Sequence, residues 1–254
     1  MDPRRAFEAR QRSERSPRTR RVGSSLKQAR PFDLVIFDCD GVLVDSETIA
    51  CSTVASALGR HGIPCTTSEV MALFLGRSST VITDHYARTA NGPLPPGFMA
   101  EWRAQLFEAF ARELKPIEGI RALVEALDVP YCVASSSDQQ RIEIALRKCH
   151  LWDLFQGRIF STSMVANGKP APDVFLLAAS THGVKPERCL VIEDSVSGIT
   201  AAKAAGMTAY GFKGGGHFSV LDQTAELARA GADRVIGSMS ELQPFVLPCR
   251  RRHR

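Results

Sequence analysis

Short apolar runs alternate along the chain with segments in which apolar residues recur every three or four positions. The runs predict strands that are buried on both faces, at "FDLVIFD", "PYCVASSS", "RIFSTSMV", "RCLVIEDS", "MTAYGF" and "DRVIG". The periodic segments predict helices, for example at 139–150, 172–183 and 195–206. This alternation is typical of an α/β domain around a mainly parallel sheet.

One long segment interrupts the alternation. Residues 48–114 contain no strand pattern and read as consecutive amphipathic helices. We therefore predict an α/β core formed by 31–47 and 115–248, with an all-helical insert at 48–114 that begins directly after the first strand.

The net charge of +5 resides in the two termini. Residues 1–30 contain ten Lys or Arg and three Asp or Glu, and 249–254 contain four Arg, so the part between them is acidic overall. We expect both basic tails to be disordered and solvated. The alternatives are a tether to nucleic acid or an anionic surface, or an Arg-rich targeting peptide. Neither alternative is favoured, because the tails lack interleaved aromatic residues and the N-terminal tail lacks a clear apolar face.

The cellular compartment is predicted from patterns that the sequence does not contain. It has no apolar run of membrane-spanning length and no signal-peptide pattern. Its seven cysteines are scattered, without a CxxC pair. We expect a cytoplasmic protein in a reducing setting, with no membrane partner and no nucleic-acid partner.

Charged and hydroxyl groups follow the predicted strands where each strand ends. In parallel sheets these ends share one edge, where ligands bind. The groups are Asp38 and Asp40, then Ser135, Lys169, Glu193 and Asp194. Four carboxylates at one edge repel one another, and Mg²⁺ is the natural cation to relieve this. With a lysine and a hydroxyl added, the set predicts a site for a phosphoryl group.

Four sequence motifs support this interpretation. "DCDGVLVDSE", "VASSS", "GKPAPD" and "VIEDS" occur in this order at the predicted strand ends. Together they resemble the four motifs of the haloacid dehalogenase-like superfamily, over about residues 31 to 213. The resemblance implies a Rossmann-like parallel sheet core with an inserted helical cap of the C1 type, at 48–114.

The resemblance also implies a role for each motif residue. Asp38 would be the nucleophile that forms an aspartyl-phosphate, and Asp40 the general acid that later acts as base. A second aspartate in the first motif argues for a phosphate ester as substrate. It further implies that Mg²⁺ is bound by Asp38, the backbone carbonyl of Asp40 and Asp194, with Glu193 in the inner or outer shell. Ser135 and Lys169 would bind the transferring phosphoryl group.

Three further residues are candidates for substrate binding. Glu47 points into the cleft or begins the first cap helix. Arg77, in a cap loop, either grips an anionic group of the substrate or is simply exposed. For Ser136, as for Ser137, we favour the role of N-cap of the following helix.

Three other residues have plainer predicted roles. Asp45 is expected to fix a turn or hinge. His217, at the end of "GFKGGGH", is expected to face solvent. Cys39 lies between two aspartates, which would raise the pKa of its thiol, so we expect it to be inert.

We therefore predict a Mg²⁺-dependent phosphatase, monomeric or weakly dimeric. It would act on a small phosphorylated metabolite, a sugar or sugar-acid phosphate such as phosphogluconate or phosphoglycolate. A phosphomutase similar to β-phosphoglucomutase is an alternative, although the histidine typical of that group is missing from Thr48–Cys51. A non-catalytic protein that binds through its basic tails is a second alternative.

Overall fold

The computed structural model describes residues 31–75, 80–90 and 92–247. The basic segments 1–30 and 249–254 lie outside the described residues, and so does Arg77. The predictions made for them are therefore not addressed by the fold.

The strands of the described chain form one parallel sheet of six, in the order β3-β2-β1-β4-β5-β6. Phe37 of the central β1 pairs with Val133 on one side and Ile192 on the other. The predicted α/β class is confirmed. The strands are β1 (Leu34–Phe37), β2 (Tyr131–Ser135), β3 (Ile159–Ser161), β4 (Cys189–Glu193), β5 (Thr208–Phe212) and β6 (Arg234–Ile236).

Both faces of the sheet are covered. Successive side chains of a strand point to opposite faces, and in β1 Val35 and Phe37 join one apolar cluster while Leu34 and Ile36 join the other. All four side chains are fully buried. This double burial explains why the strands are continuous apolar runs in the sequence.

The helices of the core connect or follow the strands. Ser195 is an N-cap as predicted, and its Oγ accepts a hydrogen bond from the N–H of Gly198 at 3.1 Å. No helix of the described residues is long and apolar enough to cross a bilayer. The helices are Ile120–Ala126, Gln139–Lys148, Trp152–Phe155, Asp173–Thr181, Val196–Ala204, Thr224–Arg229 and Met239–Val246.

Four further helices lie between β1 and β2, where the helical insert is predicted: Glu47–Arg60, Thr67–Phe74, Thr80–Thr89 and Phe98–Glu113. They have an apolar interior that includes Leu58, Val70 and Leu106. The indole N–H of Trp102 donates to Thr53 Oγ1 at 3.1 Å and joins the first helix to the last. The all-helical character is confirmed, whereas the limits 48–114 stay a prediction.

The chain enters and leaves this helical segment, called the cap below, at one place. The N–H of Asp45 donates to the carbonyl of Lys115 at 3.0 Å, and the N–H of Ile117 donates to that of Leu43 at 3.0 Å. The two crossings are thus held side by side just beyond the end of β1. Because of this arrangement, the cap helices stand next to the carboxyl ends of the strands.

Candidate active site

A cavity lies between the strand ends and the cap. Its core wall includes residues that follow β1, β2 and β4, and its cap wall is mostly apolar, with residues such as Val54, Trp102 and Leu106. The structure brings together most of the predicted site: Asp38, Asp40, Glu47, Ser135, Ser136, Glu193 and Asp194 all line this cavity. Lys169 does not line the cavity but bonds to two of these carboxylates, Asp38 and Glu193.

Lys169 is a buried cation that joins two of the motifs. Its Nζ donates to Asp38 Oδ1 at 2.6 Å, to Glu193 Oε1 at 2.7 Å and to the carbonyl of Ala134 at 2.9 Å. Burial alone would lower the pKa of Lys169, but the carboxylates of Asp38 and Glu193 raise it above its ordinary value. An ammonium group has three donors, so all three are engaged.

Glu193 is held at both oxygens. While Oε1 accepts from Lys169, Oε2 accepts from the backbone N–H and the hydroxyl of Ser195, each at 2.9 Å. Gly198 makes room for this carboxylate, since a Cβ built there would lie 1.7 Å from Oε1. Glu193 therefore has little freedom to bind a cation directly.

Asp40 is surrounded by donors. Its Oδ1 accepts from Ser46 Oγ at 2.5 Å and from Arg141 Nη2 at 2.8 Å, and its Oδ2 accepts from Ser137 Oγ at 2.6 Å. Burial would raise the pKa of Asp40, but the charge of Arg141 and the hydrogen bonds from Ser137 and Ser46 lower it. These surroundings favour the ionised carboxylate.

The pKa values of Asp38 and Asp194 are shifted in the opposite direction, upwards. Burial, and after it the charges of neighbouring carboxylates, raise the pKa of Asp194 well above its usual range. The pKa of Asp38 is also raised by burial, although Lys169 opposes the shift. Carboxyl groups thus outnumber the cationic groups, Lys169 and Arg141, at this site.

The surplus of buried carboxylate oxygens fits a hard divalent cation in donor type and charge. Within the described ranges, no three Asp, Glu, His or Cys side chains form a ready-made metal cluster. Mg²⁺ does not require one, because it is usually held by one or two carboxylates and keeps several waters. Asp38 and Asp194 supply two carboxylates, and both line the cavity.

The first motif turns sharply after Cys39. Gly41 adopts φ +74°, which favours glycine. A Cβ at Gly41 would lie 1.8 Å from Oδ2 of Asp194, so the backbone of the first motif packs directly against the carboxylate of the fourth. This contact fixes where Asp194 stands relative to the end of β1.

The prediction that His217 faces solvent is wrong. Its side chain is fully buried, and Nε2 lies 3.3 Å from Oδ2 of Asp194. The three glycines before it do not form a loose loop but allow close packing. The N–H of Gly216 donates to Asp45 Oδ1 at 2.9 Å, in keeping with the turn-fixing role predicted for Asp45.

The N-cap expected at Ser136 or Ser137 is also wrong. Asp138 caps the helix Gln139–Lys148, because its Oδ1 accepts from the N–H of Arg141 at 3.0 Å. Ser137 instead binds Asp40, while Ser136 lines the cavity. Ser135 is buried, and its Oγ accepts from the N–H of Ser137 at 3.1 Å.

Glu47 fulfils both of its expected placements. It is the first residue of the helix Glu47–Arg60 and lines the cavity. Burial, and after it the charge of Asp40, raise the pKa of Glu47 to about 7. Cys39 is buried, and the pKa of its thiol is raised well above the usual value by burial, as expected of an inert cysteine.

Two arginines of the site escaped sequence reasoning. Arg141 binds Asp40 from the core, and Arg103 of the cap makes a two-pronged ion pair with Asp138 at 2.6 and 2.7 Å. Both arginines line the cavity. Their only signal in the sequence is a place on an amphipathic helix, which many surface arginines share.

Comparison with known proteins decides the family. Residues 35–212 match the family described as haloacid dehalogenase-like hydrolase. The chain belongs to this family. The predicted superfamily and the predicted enzyme class, a phosphoric monoester hydrolase, are confirmed.

Two curated relatives of this hydrolase are phosphatases by name. The 6-phosphogluconate phosphatase of Escherichia coli K12 is 31% identical over 212 residues, which cover 78% of this chain and 96% of the relative. A probable pseudouridine-5'-phosphatase of Drosophila melanogaster is 35% identical over 194 residues, which cover 71% of this chain and 81% of the relative.

Solved structures share the fold. A haloacid dehalogenase-like protein from Agrobacterium tumefaciens superimposes with a TM-score of 0.73 at 37% identity, covering 85% of this chain and 97% of that chain. A family hydrolase from Deinococcus radiodurans R1, solved with bound phosphate and sodium, has a TM-score of 0.69 at 36% identity. That match covers 85% of this chain and 95% of the other.

Proposed function

We propose that this hydrolase is a Mg²⁺-dependent phosphatase that acts on a small phosphorylated sugar or sugar acid through an aspartyl-phosphate. The observation that carries the proposal is the meeting of Asp38, Asp40 and Lys169 beside Asp194 at one end of the sheet. The phosphatases named above support the substrate class, and the phosphate bound in the Deinococcus structure supports a phosphoryl site.

In the first step Asp38 is the nucleophile. We assign the attack to Oδ2, because Oδ1 accepts from Lys169. A bond forms between this oxygen and phosphorus, the bond from phosphorus to the ester oxygen breaks, and the leaving oxygen takes a proton from Asp40. In the second step water attacks the phosphorus of the aspartyl-phosphate and gives a proton to Asp40. Inorganic phosphate leaves, and the carboxylate of Asp38 is restored.

The environment of Asp40 suits its second role directly. Arg141, Ser137 and Ser46 favour the ionised form, which is the form that accepts a proton from water. The acid role needs the protonated form. A bound phosphate group adds negative charge close to Asp40 and therefore raises its pKa, which promotes proton uptake before the first step.

Mg²⁺, when bound, would neutralise charge on the phosphoryl oxygens. Asp38, the backbone carbonyl of Asp40 and Asp194 would hold it. Glu193 belongs to the outer shell, since both of its oxygens already accept hydrogen bonds. Glu193 and Lys169 instead hold Asp38 in place, and Ser135 together with Lys169 would contact the transferring phosphoryl group.

The part of the substrate beyond the phosphate would face Glu47, Ser136 and the cap. Since the cap closes over the strand ends, the substrate should be small enough to be enclosed. Arg77 stays a candidate for contact with the substrate. The predicted cytoplasmic location and the monomeric or weakly dimeric state also stay predictions.

The test is phosphate release from a panel that contains 6-phosphogluconate, fructose 1-phosphate, pseudouridine 5'-phosphate and phosphoglycolate, with and without Mg²⁺. Asp38→Asn should abolish turnover without unfolding the chain, and chelation should abolish it reversibly. Asp222→Asn, an exposed acid outside the cavity, is the matched control and should leave turnover unchanged. Full turnover by Asp38→Asn on an aryl phosphate would contradict the assignment of the nucleophile.

A second incubation distinguishes the phosphatase from the phosphomutase alternative. The chain would be incubated with a hexose 1-phosphate and a bisphosphate primer. Steady isomerisation without release of phosphate would refute the hydrolase proposal.

A further inference from the structure

His217 is a buried polar residue that the proposed reaction leaves unexplained. Its side chain has 0% exposure. Neither ring nitrogen makes a hydrogen bond of acceptable geometry within the described structure, although Nε2 comes within 3.3 Å of Oδ2 of Asp194. Burial of polar groups without partners is unfavourable, and native proteins rarely tolerate it. The position therefore calls for a functional reason.

The imidazole lies against the carboxylate that the proposed function assigns to the metal. Its Nε2 is 3.3 Å from Oδ2 of Asp194. A Cβ built on Gly41 would meet this same oxygen at 1.8 Å and Cε1 of His217 at 3.1 Å. The ring, the carboxylate and the backbone of the first motif are thus packed together at one point beside the cavity.

The loop that carries His217 is fixed to the first motif. A Cβ at Gly215 would lie 2.8 Å from Nδ1 of His217 and 3.1 Å from the carbonyl oxygen of Gly41. The next residue, Gly216, donates its N–H to Asp45. The ring of Phe218 lies 4.5 Å from the imidazole, centre to centre. The imidazole therefore has a defined place that larger residues in the loop would disturb.

We propose that His217 is a positioning residue: when the divalent cation is bound, Nε2–H donates to the adjacent Oδ2 of Asp194 and holds this carboxylate in the orientation that binds the cation. The inference rests on the proposed Mg²⁺ dependence. Carboxylates that bind metals are commonly held by hydrogen bonds of this kind, and losing such a partner weakens metal affinity about 10- to 100-fold.

A neutral donor suits this role better than a charged one. A neutral imidazole carries one N–H donor, so it can hold a carboxylate without adding charge. A lysine or arginine in this place would cancel part of the charge of Asp194 and compete with the cation. The neutral imidazole directs the carboxylate and leaves its charge available.

The test measures binding of Mn²⁺, as a paramagnetic substitute for Mg²⁺, to the full chain by the loss of the free-ion EPR signal. His217→Leu should weaken binding about 10- to 100-fold. His217→Gln places an amide N–H near the position of Nε2 and should restore affinity to within a few-fold. His217→Asn is too short to do so and should behave like the leucine variant. His182→Asn, a histidine outside the cavity, should bind as the wild type does.

The outcomes separate this inference from the proposed function. A folded wild-type chain that binds no Mn²⁺ contradicts the metal dependence itself. Wild-type binding with unchanged affinity in His217→Leu contradicts only the role of His217, and so does an equal loss in the glutamine and asparagine variants. If His217→Leu does not fold, the comparison of glutamine with asparagine decides. Saturating Mg²⁺ should also recover most of the kcat of His217→Asn, which a loss of packing alone would not allow.

Discussion

The replacement of Gly198 by alanine tests the tightest contact behind the active site. Gly198 lies in the helix Val196–Ala204, and a Cβ there would come within 1.7 and 2.4 Å of the two oxygens of Glu193. Because carbon and oxygen do not approach this closely, the carboxylate of Glu193 must move. Gly59 provides a matched control, since it is also helical and a Cβ there meets nothing within 4 Å.

The two variants should change stability in opposite directions. Alanine is favoured over glycine inside a helix by about 1 kcal/mol, so Gly59→Ala should gain up to this amount. At Gly198 the same gain is opposed by the displacement of Glu193, which bonds to Lys169 at 2.7 Å and to Ser195 at 2.9 Å. Breaking a buried ion pair costs about 3–5 kcal/mol. The net loss is about 2–4 kcal/mol, a fall in Tm of roughly 5–15 °C.

Urea and thermal unfolding measure the free energy, and phosphate release measures the effect on the site. Gly198→Ala should lose turnover even where it is folded, because Lys169 loses one of its two carboxylate partners. Wild-type stability and turnover in Gly198→Ala would refute the close packing of Glu193. A destabilised Gly59→Ala would instead show that alanine is unfavourable in these helices for another reason.

Three other predictions concern the cap contact, the thiols and the metal. Asp138→Asn keeps a good N-cap but loses the ion pair with Arg103. The hydrogen bonds from Arg103 lower the pKa of Asp138. The ion pair therefore stabilises the folded state fully above about pH 4, the ordinary pKa of an aspartate. This stabilisation is lost as the pH falls through the lowered pKa of Asp138. Urea unfolding at pH 7 should show a loss of under about 1 kcal/mol, and the difference should vanish in acid. Peptide mapping after brief alkylation should find Cys65, which is partly exposed, modified before the buried Cys39. Mg²⁺ at 100 times its Kd should stabilise the wild type by about 2.7 kcal/mol, and thermal unfolding of Asp194→Asn should show almost none of this shift.

The sequence was informative where a single continuous segment defines the structure. Each motif follows one strand, and the carboxyl ends of parallel strands share an edge, so Asp38 and Asp194 could be expected together although 156 positions of chain order separate them. The runs that predict the strands are apolar because helices cover both faces of the sheet. The positions of the strands and of their carboxyl ends can be predicted without knowing which face each helix turns toward the sheet.

Side chains that come from helices and loops were harder to place. Arg141 reaches Asp40 only because its helix has a particular rotation against the sheet, and no local pattern specifies that rotation. His217 was misjudged because glycine-rich loops are usually flexible. Here glycines 214–216 are needed for close approach, since a Cβ at each of them would lie 2.8 Å or less from another group. If these glycines had been interpreted as sites of close packing, His217 would have been predicted to be buried.

The charges of the site point to a further property of the whole arrangement. Lys169 has all three donors engaged by Asp38, Glu193 and a carbonyl, so it can donate to an incoming phosphate only by releasing one of these acceptors. A phosphate dianion that arrived alone would meet several carboxylates, two of which have pKa values raised well above the usual range by burial and by their neighbours. A divalent cation that arrived alone would relieve this repulsion and create the positive charge that phosphate needs. Under the proposed function, the cation and the phosphate should therefore each strengthen binding of the other, and by the same factor because such coupling is reciprocal. The proposed function thus accounts for the dense acids at the end of β1, because a bound cation would relieve their mutual repulsion and present positive charge to the phosphate.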